Sequence, residues 1–167
     1  MFTRIVVPLD GSDIAETAIP QAENMATLTN APIHLVRIVD FSSRDMSASY
    51  GMMTDISSMS VLLEDEDEAA NEYLAAMAKR VAEQGFRVSR EVRRGAVASQ
   101  LIALAEPGDL LVMASHGRSG AVRWFLGSIA EEVVRRVSVP VLLVKASAKP
   151  DSKADRTFLR EPLAAAR

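Results

Sequence analysis

Five short apolar runs, separated by stretches of helical period, organise this chain. The first, Ile5-Val6-Val7-Pro8-Leu9, is continuous rather than alternating, as expected of a parallel strand buried on both faces. It ends in Asp10-Gly11-Ser12, a triplet that favours turns and caps. Ile14, Ala18, Ala22 and Met25 then recur at spacings of four, four and three, which predicts one helical stripe. Pro20 inside it predicts a bend, because its nitrogen cannot donate to the Glu16 carbonyl. Pro32 precedes a second strand over 33–39. Ala70, Leu74, Met77 and Val81 form a second helical stripe, which Gly85 is placed to end. A weak third strand is predicted over 86–92. After Gly95 comes a short helix carrying Val97, Leu101, Ile102 and Ala105, stopped by Pro107-Gly108. A fourth strand is predicted over 110–114. Ile129, Val133 and Val137 predict a last helix, and Val139-Pro140-Val141-Leu142-Leu143-Val144 a fifth strand.

Strands alternating with helices predict an α/β fold: an open five-stranded parallel sheet with helices on both faces and right-handed crossovers. Pro140 predicts that the fifth strand lies at an edge, since proline cannot complete a central ladder. An apolar edge strand needs cover. A homodimer joined through Val139 to Val144 is the expected solution.

Two regions break the pattern. FSSRDMSASYGMMTDISSMS, residues 41–60, has no clear period. A structureless segment of that length is either functional or mobile, so a flexible insertion is expected at about 41–62. Its Met46, Met52, Met53 and Met59 could serve a partner, a floppy insertion being the simpler reading. The acidic run from Glu64 to Glu68 follows and is expected to open the next helix, where negative charge suits the dipole. Beyond Lys149 the chain is polar and then alanine-rich. The division expected is one domain over 1–146 and a disordered C-terminal tail over 147–167.

Composition narrows the chemistry. The 167 residues carry a net charge of −3, which argues against non-specific nucleic-acid binding but not against a local anion site. There are no cysteines, so disulfides, thiolate metal sites and thiol nucleophiles are excluded, and two histidines are too few for a histidine metal cluster. No apolar run reaches the length of a membrane span. A soluble cytoplasmic protein is the expectation.

Open parallel α/β sheets bind ligands beyond the carboxyl ends of their strands, where strand order reverses. Three segments should converge there: Pro8 to Ser12, Val39-Asp40, and ASHGRSGAVRWFLGSIAEE after the fourth strand. The last contains Gly117 and Gly120, which permit close backbone approach, and Arg118 and Arg123, which could supply positive charge. Gly127 and Ser128 stand at a helix start, whose amides and dipole favour an anion. Ser128 and Glu131 also stand at capping-box spacing, so the phosphate-binding and capping readings both remain open. The segment is neither a Walker A loop nor a Gly-x-Gly-x-x-Gly fingerprint. His116 has no serine and acid partner arrangement legible in sequence, so no catalytic residue is assigned.

On these segments together the chain resembles a universal stress protein domain over residues 2–145. The anchors are residues 5–12, 33–40 and 109–117, then Gly127-Ser128 and the strand after it. The family's nucleotide motif is Gly-x2-Gly-x9-Gly-Ser/Thr; Gly117, Gly127 and Ser128 match it, while Ala114 stands in place of its first glycine. The resemblance implies sheet order 3-2-1-4-5, dimerisation through the fifth strand and a site for ATP or another adenine nucleotide. By position, Asp10 would face the ribose or a Mg²⁺ ion, with Pro8 and Leu9 beside the base. Ile38 and Met113 would line the adenine next to Ala114. Gly117, Arg118, Gly127, Ser128 and Ile129 would surround the phosphates. The function implied is an ATP-binding stress-response or signalling protein. A slow Mg²⁺-dependent ATPase and a nucleotide-free protein-interaction subunit are the alternatives. No general base stands out, so hydrolysis would be weak at most.

Overall fold

The structure, a computed structural model, describes residues 1–40, 56–115 and 126–145, with backbone alone for 56–63. Strands β1 (Arg4–Pro8), β2 (Ile33–Val39), β3 (Val88–Arg94), β4 (Asp109–Ala114) and β5 (Val141–Val144) form one parallel sheet in the order β3-β2-β1-β4-β5. Helices α1 (Asp13–Glu16), α2 (Ile19–Thr29), α3 (Ile56–Glu83), α4 (Val97–Leu104) and α5 (Ser128–Arg136) connect and cover it. The expected α/β fold and strand order are both present.

Strand alternation divides the apolar side chains between two cores. Ile5, Val7, Leu35 and Val112 face one side with Ala18 and Ala22 of the α1–α2 region and Leu74 and Val81 of α3. Val6, Val36, Leu111 and Met113 face the other with Leu101 and Leu104 of α4 and Ala130 and Val133 of α5. Each fully buried Leu or Ile contributes roughly 1.5–3 kcal/mol relative to exposure. The continuous apolar runs are thus what two covered faces require.

Several boundaries depart from the sequence expectation. The first helical stripe is not one bent helix. Its backbone breaks after Glu16: Thr17 and Ala18 donate back over three residues, to Ile14 and Ala15, and α2 restarts with Pro20 among its first two positions. There a proline nitrogen has no intrahelical partner to lose, so Pro20 begins a helix instead of kinking one. Strand β3 runs two residues later than expected, over Val88–Arg94. Helix α3 already begins at Ile56, inside the segment expected to lack period, so Glu64 to Glu68 lie in its interior and not in its first turn. The dipole argument therefore does not apply to them. On α5 the buried stripe is Ala130 and Val133, while Ile129 is 43% exposed. Pro140 precedes β5 and accepts a hydrogen bond from the Leu111 amide, and β5 is indeed an edge. The tail over 147–167 lies outside the described residues.

At the amino ends of the strands, polar groups replace apolar ones. The Arg4 guanidinium donates to both oxygens of Asp109, at 3.0 and 2.6 Å, and to the Leu104 carbonyl at 3.1 Å. Asp109, 2% exposed, also accepts from the Glu106 amide at 2.9 Å. This ties β1 to β4 and to the end of α4. Next to it, His34 is buried on β2, with Nδ1 2.8 Å from Ser89 Oγ and Nε2 3.4 Å from a Glu91 oxygen. Burial first, and then the Arg4 charge, hold the imidazole below its ordinary value of 6.5; the pull of Glu91 does not offset them.

Two outcomes are expected. Arg4→Met leaves the Asp109 carboxylate buried and unpaired, and chemical denaturation should show a loss of about 3 kcal/mol. For His34, the unfolded chain takes up its proton first as pH falls through 6.5, so the wild type loses stability on acidification. His34→Gln should flatten that slope in denaturant titrations at successive pH values from neutral downward. An unchanged slope would assign the acid sensitivity to other groups.

Candidate functional site

Strand order reverses at β1: the chain passes outward through β2 and β3 on one side, then returns to β4 and β5 on the other. The crevice at the carboxyl ends of β1 and β4 is therefore the switch point. Pro8 to Ser12 and Val39-Asp40 lie at those ends as expected, as do Ala114 and Ser115; residues 116–125 of the third expected segment lie outside the described residues.

Pro8 closes β1 opposite Val36. Leu9 is 3% exposed and packs into the first core, with its amide bound to the Val36 carbonyl at 2.8 Å. Its side chain is committed to packing, which leaves its backbone for any contact with a base. Asp10 follows, half-buried. Its Oδ1 accepts both the Ser12 amide at 2.9 Å and the Ser12 hydroxyl at 2.6 Å. Ser12 Oγ in turn accepts from the Ala15 amide at 3.2 Å and caps α1. The tight geometry needs Gly11, whose φ of +84° lies in the left-handed region. The turn-and-cap reading of Asp10-Gly11-Ser12 is thus correct, and it holds a carboxylate at the end of the central strand.

Ile38 is half-buried and packs with Met113, 6% exposed, on the α4–α5 side of the sheet. Pleating places both on the same face as Val36. Ala114, 7% exposed, ends β4 opposite Val144. Its strand conformation suits alanine as well as glycine.

Beyond β4, Ser115 donates its amide to the Val144 carbonyl at 2.8 Å, and its own carbonyl accepts the Gly127 amide at 2.9 Å. Gly127 is the N-cap of α5 in extended conformation, and its carbonyl takes the Glu131 amide at 2.8 Å. Ser128 is therefore the first helical residue, not the cap, and no side-chain cap bond is made. Glu131 turns to Arg135 instead, at 3.2 Å, so the capping-box reading fails. The Gly127 amide, expected at a phosphate, is occupied by Ser115. Helix geometry leaves the amides of Ser128, Ile129 and Ala130 without intrahelical acceptors. Ser128 and Ile129 are both exposed. Gly117 and Arg118, like His116, Gly120, Arg123 and Trp124, lie outside the described residues.

Among the described residues no cluster of three His, Asp or Glu side chains could hold a metal ion, and no helix is long and apolar enough to cross a membrane. Sequence reasoning missed Ser115, whose backbone joins β5 and α5 to the crevice. Only its place between Ala114 and the motif's second glycine could have pointed to it.

Ile38 and Met113, the Asp10 carboxylate and the start of α5 lie toward the carboxyl ends of the strands of a 3-2-1-4-5 sheet, the arrangement of an open, parallel α/β domain. The sequence profile of the Universal stress protein family matches residues 1–145, and the chain belongs to that family. It is 33% identical over 147 residues to Universal stress protein MJ0531 of Methanocaldococcus jannaschii, covering 87% of this chain and 83% of that one. The solved structure of the hypothetical protein MJ0577 superposes with a TM-score of 0.74 at 25% identity, covering 89% of this chain and 99% of that one. A universal stress protein solved in complex with cAMP shares the fold, with a TM-score of 0.54 at 24% identity and coverage of 87% and 98%.

Because Ser128 makes no cap bond, Ser128→Ala should shift stability by less than about 0.5 kcal/mol in thermal melts. A loss of about 1 kcal/mol would restore the capping reading.

Proposed function

We propose that this protein binds an adenine nucleotide, ATP in the first place, in the crevice beyond β1 and β4, and acts as a nucleotide-responsive stress or signalling protein. The observation that carries this reading is the start of α5. Gly127 has a φ of −60°, open to any residue, so backbone geometry does not require glycine there, and close approach of a ligand is the role this reading gives it. The amides of Ser128, Ile129 and Ala130 then favour phosphate through direct donation and the helix dipole. Ile38 and Met113 supply an apolar wall for a base, and Pro8 and the Leu9 backbone border it. Asp10 is the acceptor for ribose hydroxyls or a ligand to Mg²⁺. In this reading phosphate oxygens and water complete any Mg²⁺ sphere beside Asp10. Gly117 and Arg118 complete the phosphate site in this reading. Family membership supports it, and the cAMP-bound relative is an instance of an adenine nucleotide on this fold.

Nothing in this set is a general base, so the protein is read as a binder whose conformational states differ in affinity for the nucleotide. Slow Mg²⁺-dependent hydrolysis is the alternative. The oligomer proposed is a homodimer through β5, whose four residues are all half-buried at the sheet edge.

Calorimetric titration with ATP, with mass spectrometry of ligand released from the purified protein, tests the nucleotide. Saturable binding below millimolar concentration is expected. No binding at millimolar ATP and no carried adenine nucleotide would leave a protein-interaction subunit. Ala114→Gly should then tighten ATP binding if the methyl crowds the ligand, and leave it unchanged if not. A steady-state phosphate-release assay, with Asp10→Ala as the control, separates binder from ATPase. Light scattering should give twice the chain mass at micromolar concentration; a monomer there would overturn the β5 dimer.

A further inference from the structure

Helix α1 has four residues and buries only Ala15 among them. A helix that short cannot hold itself. Its last residue, Glu16, is gripped from α3: Tyr73 donates its hydroxyl to Oε1 at 3.1 Å, and Arg80 donates to Oε2 at 3.0 Å. The Tyr73 ring also lies under the Arg37 guanidinium of β2, 5.2 Å from its centroid. One aromatic side chain thus touches both α1, which follows the Asp10 turn, and β2, which ends at the crevice. Arg80 is exposed, so its ion pair contributes little by itself; the half-buried tyrosine is the firmer anchor. Burial, and then the negative charge of Glu16, raise the phenol well above its ordinary value, so it remains a donor.

The hydrogen bonds continue from this grip to the site. The Glu16 amide bonds the Ser12 carbonyl at 3.2 Å, and the Ala15 amide bonds Ser12 Oγ at 3.2 Å. Ser12 then donates twice to the Asp10 carboxylate. We propose that Tyr73 is a positioning residue: through Glu16 and Ser12 it presets Asp10 to accept the vicinal hydroxyls of a bound ribose. This rests on the nucleotide reading above. A group held by its supporting shell loses less freedom when the ligand arrives.

The test compares wild type, Tyr73→Phe, Asp10→Asn and the double variant. Calorimetry would use ATP and 2′,3′-dideoxyATP, and NMR would follow hydrogen exchange of the Ala15 and Glu16 amides. Tyr73→Phe keeps the ring and removes only the hydroxyl. It should speed those amides and weaken ATP about fivefold to tenfold, less than the roughly 12-fold or more that direct loss of a hydrogen bond to a charged group would bring, because the effect on the ligand is indirect. DideoxyATP should stay within about twofold, since it lacks the hydroxyls concerned. Asp10→Asn should abolish the preference for ATP, and adding Tyr73→Phe should cost nothing further. Glu16→Gln, which keeps an acceptor for Tyr73, should stay near wild type, while Glu16→Leu should behave as Tyr73→Phe. Equal weakening of both nucleotides, additive losses, or unchanged exchange and affinity would overturn the positioning role alone. Failure of the wild type to bind either nucleotide would overturn the nucleotide reading, and the positioning role with it.

Discussion

The central strand admits no polar side chain along its middle. Ile5, Val6 and Val7 are between 0 and 2% exposed, and neighbours β2 and β4 occupy both of its hydrogen-bonding edges. Any charge there would be buried on either face without a partner, at a cost of several kcal/mol. Polar chemistry is therefore displaced to the two ends of β1. At the amino end Arg4 meets Asp109 and welds the sheet to α4. At the carboxyl end Asp10 closes on Ser12 and stays half-buried. Two carboxylates thus stand at opposite ends of the sheet in different surroundings. Burial pushes the Asp109 carboxyl up, but the Arg4 guanidinium and the Glu106 amide outweigh it and hold it below the ordinary range. Its partners are all internal. Asp10 stands where a ligand can reach the strand ends.

Local regularity explains what was legible in the sequence. Continuous apolar runs and the Ala70, Leu74, Met77, Val81 stripe report burial directly, and all four of those helical positions are buried. The alternation of runs then leaves few topologies. What was not legible depends on a few hydrogen bonds. Pro20 is compatible with a bend or a restart, and only the three-residue bonds at Thr17 and Ala18 decide for the restart. Ser128 and Glu131 have the spacing of a cap, but the cap was decided one residue earlier, when the Gly127 carbonyl received the Glu131 amide. Phe86 packs against the first core without belonging to β3, so its apolar character drew the strand boundary too early. Glu16 and Tyr73 are 57 positions apart, and no local pattern could pair them.

The same division between core and ends shapes the site. Leu9 and Met113 adjoin the crevice, and both are buried by cores on opposite faces. The crevice floor is therefore as rigid as the packing beneath it. Its rim is made of hydrogen-bonded turns, at Asp10 to Ser12 and at Ser115 with Gly127, where small shifts are cheaper.

The two edges of the sheet are chemically unlike. On β3, Arg90 is bound to Asn71, Arg93 to Glu91 and Arg94 to Asp67, a charged fringe that discourages strand addition. Strand β5 carries Val141, Leu142, Leu143 and Val144 with no such fringe. Were two copies to join at their apolar edges, the composite would present an arginine border on either flank, and a third copy would find no edge to extend. Polarity of its borders, independent of any ligand, would guard such a pair against fibres.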